Sequence, residues 1–111
     1  MADTPSAHEF VRFLVGSIVD EPDALRLYTS RDGRHDLVEV RVAGADLPNV
    51  IGRGGKTAQS LRAVLDAWTY KHRLRAHLRI LEEDEEPKGK PVDADENDLE
   101  DDDAAADEEE E

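Results

Sequence analysis

A chain of 111 residues has room for one small domain and short extensions, not for two independent cores. It has no cysteine, which excludes disulfides and thiolate chemistry. No apolar run approaches membrane-spanning length, and the N-terminus lacks a basic-then-apolar leader, so a soluble cytoplasmic protein without membrane contact is expected. The formal net charge of -14 argues against a polyanionic partner only as an average. Residues 82–111 hold 18 acidic and 2 basic residues, a net of -16, whereas residues 1–81 hold 10 acidic and 12 basic, a net of +2. The acidic end therefore hides a mildly basic domain.

The first seven residues read as a flexible start, with Ser6 and Glu9 spaced as a capping box. Phe10, Val11, Phe13, Leu14 and Ile18 then recur at helical spacing as far as Val19, and Pro22 ends the pattern. Leu25 to Tyr28 is a candidate strand. Asp32-Gly33 is a hairpin signal. Between Leu37 and Val42, Val38, Val40 and Val42 alternate with Glu39 and Arg41, the signature of a half-buried strand. Asp46 is placed to cap a short helix over Leu47 to Ile51, with Pro48 in its first turn. A longer helix begins near Gly55 or Lys56 and runs to about Lys71, burying Ala58, Leu61, Leu65 and Trp68 with Val64 beside them. Ala76, Leu78 and Ile80 alternate with His77 and Arg79 in a third strand. Beyond Glu82 apolar residues almost vanish, so residues 82–111 are expected to form a disordered acidic tail. The expected architecture is α+β, ordered αββααβ, with helices on one face of a three-stranded sheet spanning residues 8–81.

Chemistry concentrates at Val50-Ile51-Gly52-Arg53-Gly54-Gly55-Lys56-Thr57. An apolar pair runs into Gly-x-x-Gly, followed by a basic residue and a helix. Glycines allow positive φ and close backbone approach, while Arg53, Lys56 and a helix N-terminus offer charge and free N–H groups to phosphate. A P-loop ending at Gly55-Lys56-Thr57 would need glycine at position 50, which is Val50. A dinucleotide fingerprint starting at Gly52 would need glycine at position 57, which is Thr57. A helix cap at Gly52 followed by a plain Gly54-Gly55 turn is the bland alternative. From Arg53 to Arg79, seven basic residues face one acid, Asp66.

The other candidates each admit two readings. Val50 and Ile51 suit either the floor of an apolar groove or the core. Arg62 suits a phosphate contact or a solvated helix face. Lys71, Arg73, Arg75 and Arg79 either extend a basic track or form a solubilising edge. Trp68 belongs to the buried stripe, and Tyr28 and Tyr70 are weaker candidates for stacking on bases. His8, His35, His72 and His77 share no metal-ligand spacing, and no Ser/His/Asp arrangement is identifiable. Neither a catalytic residue, a metal nor a cofactor is expected.

The order αββααβ with GXXG between its last two helices resembles the bacterial type II KH fold. The size, the single KH unit and the segment Leu47-Pro48-Asn49-Val50-Ile51-Gly52-Arg53-Gly54-Gly55-Lys56 are similar to the small bacterial RNA-binding family KhpA, also called YlqC. The resemblance covers roughly residues 8–81; the acidic tail departs from the compact family pattern. It implies a cytoplasmic RNA-binding or RNA-chaperone protein whose RNA-binding residues are Gly52, Arg53, Gly54 and Gly55, with Lys56 adjoining. Val50, Ile51 and Arg62 complete the expected interface on the residue reading above. The resemblance also implies self-association, as a homodimer, and pairing with a second KH protein, KhpB. Two other functions remain: a protein-interaction module whose acidic tail recruits a basic partner, and a ribosomal-RNA-binding assembly factor.

Overall fold

The computed structural model describes residues 6–33 and 35–92. Helix α1 (Ala7–Gly16) opens with the capping box its sequence announces: the Ser6 hydroxyl accepts the Glu9 N–H at 3.3 Å and the Glu9 carboxylate accepts the Ser6 N–H at 3.2 Å. Ser6 is thus the N-cap of the helix and Ala7 its first residue. Ala7, Val11 and Val15, four residues apart, form its buried face. The helix stops at Gly16 rather than Val19, where the bonding tightens to i→i−3: the Ser17 N–H is shared between Phe13 and Leu14, and the Ile18 N–H turns to Val15 at 3.0 Å.

Strands β1 (Arg26–Asp32) and β2 (His35–Arg41) form an antiparallel hairpin closed by the pair Asp32↔His35, with Gly33 at φ 67 in the turn. Both strands run further towards the turn than side-chain alternation suggests. Backbone pairing carries Thr29, Ser30 and Arg31 into the ladder, and Arg31 meets Asp36 at 2.9 Å. Helix α2 (Leu47–Ile51) and helix α3 (Lys56–His72) follow, and α3 is the crossover that returns β3 (Ala76–Ile80) parallel to β2, Val38 opposite Leu78. Val11, Val15, Leu27, Val38, Val40, Val50 and Leu65 are among the side chains sealed between the helices and one face of the sheet.

Asp46 does not cap α2. Its buried carboxylate instead accepts N–H bonds from Asp20 at 2.9 Å and Glu21 at 3.0 Å, tying the connection after α1 to the foot of α2.

The sheet has four strands, ordered β3-β2-β1-β4, not the expected three. The fourth, β4 (Lys90–Pro91), pairs antiparallel with Thr29 and Tyr28 of β1 and lies within the segment expected to be disordered. Residues 82–89 reach it by crossing the sheet face opposite the helices. There Glu39, which alternates with the core residues Val38 and Val40, is fully buried. Its carboxylate accepts the N–H groups of Lys88 at 2.9 Å and Gly89 at 2.8 Å and pairs with Arg79 at 2.7 Å. Arg79 also pairs with Glu85, and Arg41 donates to the carbonyls of Glu82, Glu83 and Glu85. A Cβ on Gly89 would lie 2.3 Å from the Thr29 carbonyl oxygen, so only glycine lets the strap come this close. Composition misses such a segment because charge-assisted hydrogen bonds, not apolar burial, hold it. The remainder of the expected tail, residues 93–111, and residues 1–5 lie outside the described residues.

Candidate nucleic-acid interface

Helix α2 ends where Gly52 donates its N–H to the Pro48 carbonyl at 2.8 Å and turns to φ 82, ψ 168. A Cβ there would sit 2.3 Å from Thr57 Oγ1 and 2.6 Å from its backbone nitrogen, so position 52 is closed to other residues by space as well as by φ. Arg53–Gly55 make one tight 3-10 turn, with the Gly55 N–H on the Gly52 carbonyl at 3.0 Å. Gly54 (φ 64) and Gly55 (φ 79) are left-handed but uncrowded, with nothing within 4 Å of an added Cβ. Glycine is favoured at both by conformation alone.

Gly55 is the N-cap of α3, and no side chain caps that 17-residue helix. The positive end of its dipole and its first-turn N–H groups therefore face the loop. Arg53, Gly54 and Lys56 are exposed, and neither basic residue forms an ion pair with a described residue. The result is a bare backbone turn, charged on both flanks and open to solvent.

The remaining predicted residues separate. Val50 is sealed in the core beneath the loop and supports it from below, whereas Ile51 is half-buried and keeps surface. Arg62 lies about 9 Å further along α3. Its Nε donates to the Leu78 carbonyl at 3.1 Å, fixing the guanidinium between the helix and the outer edge of β3. Arg79 is taken up by Glu39 and Glu85 on the opposite face of the sheet and is no part of a basic track. Trp68 is half-buried, stacked on Phe10 with centroids 5.2 Å apart and tilted against His72 at 4.5 Å.

One feature escaped the sequence altogether. His35 and His77, 42 positions apart, are exposed and stacked at 5.2 Å, with Nδ1 of the first 3.0 Å from Nε2 of the second. Only the parallel register of β2 and β3 brings them together, and one chain gives no signal for it. Among the described residues, no three of His, Cys, Asp and Glu gather as a metal site, and no helix is long and apolar enough to cross a membrane.

Comparison with known proteins agrees with this geometry. The family model described as KhpA/KhpB, KH domain, matches residues 8–80. An RNA-binding protein KhpA of Borreliella burgdorferi is 34% identical over 74 residues, covering 67% of this chain and 90% of that protein. The KhpA of Leifsonia xyli is 42% identical over 65 residues (59% and 86%), and that of Mycobacterium bovis 54% identical over 57 residues (50% and 69%). Among solved structures, Aquifex aeolicus Era superposes on 69% of this chain and 31% of its own, with a TM-score of 0.50 and 14% identity, a likeness of fold alone. With the GXXG turn, the element order and the family match all in the same residues, the chain belongs to the KhpA/KhpB family of KH domains.

Proposed function

We propose that this protein binds single-stranded RNA in the cytoplasm, gripping the sugar–phosphate backbone at Gly52–Lys56, and acts as an RNA chaperone or post-transcriptional regulator. The observation that carries this reading is the loop itself: a turn with no side chain but Arg53, aimed by the uncapped α3 and held open by a Gly52 that accepts no substitute. Such a surface meets phosphate through backbone N–H groups and two cations, contacts that position a strand without reading its sequence. The relatives carrying the RNA-binding name support the same ligand. Crosslinking in cells followed by sequencing of the attached RNA tests it. Coverage spread over many transcripts is the expected result. A single ribosomal RNA peak would make the protein an assembly factor, and no RNA above background would leave a protein-docking module.

We further infer that the protein self-associates, as a homodimer or with a second KH protein of the KhpB kind, through the outer face of α1 and α3. Around the Phe10–Trp68 stack, Phe13 (68% exposed) and Val64 (45% exposed) each stand one turn away, leaving a contiguous apolar face uncovered. Light scattering at high micromolar concentration is expected to give twice the chain mass, and Val64→Asp to return it to the monomer. A monomeric wild-type chain removes the homodimer.

A further inference from the structure

The far end of α3 carries a second candidate surface, unrelated to the GXXG turn. An open groove of about 570 Å³ lies between the last turn of α3 and the start of β3, lined by Tyr70, Arg73, Arg75, His77 and His35, with Asp66 its single acid. Tyr70 is 87% exposed, an unusual place for so large a ring. Arg73 holds φ 59 at the end of α3, a left-handed position where glycine is the usual residue. A helix C-terminus favours a cation, which accounts for the charge of Arg73. It accounts neither for Arg75 nor for the rings. The stacked imidazoles of His35 and His77, parallel to within 2°, already present a flat paired surface at the groove wall.

Cations interleaved with exposed rings are what a single strand of nucleic acid needs: phosphates meet the arginines, and bases, whatever their identity, stack on the rings. An acidic peptide would use the arginines and leave the rings idle. The groove is separated from the GXXG turn by the length of α3, about 24 Å for its 17 residues, beyond the roughly four nucleotides that a KH loop clamps. Resting on the RNA-binding reading above, we propose that Tyr70, Arg73, Arg75 and the His35–His77 pair form a second contact for further nucleotides of the strand held at the loop. The footprint then exceeds that of a lone KH clamp and does so without added sequence preference.

The test uses the full chain and fluorescence anisotropy with labelled oligouridylates of about 5 and about 15 nucleotides. The variants are Tyr70→Ala with Arg75→Glu, and separately Arg73→Gly, which removes a charge while easing the left-handed backbone. Both should stay folded by circular dichroism. The expected result is a roughly tenfold weaker grip on the long probe, an unchanged grip on the short one, and a shallower salt dependence by about one unit of slope per arginine. Equal weakening for both probes would place these residues in the loop's own site, and no change for the long probe would leave the groove without RNA; either overturns the proposal. Tighter binding in the variants would also overturn it, assigning the groove to an acidic segment such as residues 93–111. A wild-type chain that binds neither probe fails the RNA reading itself, a result distinct from all of these.

Discussion

Replacing Glu39 with alanine is expected to cost about 3 kcal/mol of stability, a large share of the roughly 5–15 kcal/mol that holds a domain of this size. The carboxylate is fully buried and joins three elements: β2, which bears it, β3 through Arg79, and the strap through the N–H groups of Lys88 and Gly89. Its removal takes the acceptor from the Lys88 and Gly89 N–H groups and frees Arg79 from its inner partner. Cutting the chain after Leu81 should be as damaging, because it removes the same donors from the other side. Cutting after Val92 should leave the fold intact, so any comparison of RNA affinity with and without the acidic tail belongs at Val92. Urea midpoints followed by circular dichroism decide this, and equal midpoints for wild type and Glu39→Ala would refute the anchoring role.

The same group sets an acid limb. Burial alone would push the Glu39 pKa up, but the N–H groups of Lys88 and Gly89 and the Arg79 guanidinium outweigh it and hold it below its ordinary value of 4.5. A carboxyl whose folded pKa is depressed contributes its full stability above the unfolded value and loses it as pH falls through the folded one. Between about pH 5 and pH 3 the wild-type midpoint should therefore fall more steeply than that of Glu39→Gln, which carries no titrating proton there.

Reversing the charge of the loop is the second large effect. Arg53→Asp combined with Gly54→Asp should lower RNA affinity roughly a hundredfold at low salt, since two carboxylates would face phosphate where one cation stood. Stability should change little. Arg53 is exposed, an added Cβ at Gly54 meets nothing within 4 Å, and aspartate is among the few residues that tolerate a left-handed backbone such as φ 64. Gly52→Ala makes the contrast: its Cβ would overlap Thr57, so the loop itself must move and folding suffers with binding. Anisotropy with a short single-stranded RNA, alongside circular dichroism, separates the two. Undiminished affinity in the folded double variant would show that the GXXG turn is not the grip.

Local chemistry was legible in the sequence. The Ser6–Glu9 box, Pro48 in the first turn of α2, the glycine turn and the stripe Ala58-Leu61-Leu65 all depend on neighbours within a turn or two, and each took the expected form. What depends on distant partners was not legible. Asp46 looks like a cap because its own helix lies next to it, yet its carboxylate is claimed by N–H groups 25 and 26 positions earlier. Glu39 reads as a solvent-facing position of an amphipathic strand until residues 49 and 50 positions later cover it. Val64 reads as core because it adjoins the buried stripe, while Thr69 takes the buried place. Of the candidate site, the tight glycine turn was readable from the motif. The anchoring of Arg62 on β3 and the meeting of His35 with His77 required the sheet register.

The strap also covers an edge of the sheet. A hairpin with an unpaired outer strand is a template on which a second chain can extend the ladder, the first step towards fibrous aggregation. Here β4 occupies the outer side of β1 and then presents Pro91, which has no N–H to offer a newcomer. At the other margin, the Arg62 guanidinium already occupies the Leu78 carbonyl. Strand-to-strand growth is thereby discouraged on both margins. A dimer of the kind proposed above would then rest on side-chain contacts of the helices, which can form and dissolve without the chain ever leaving its native fold.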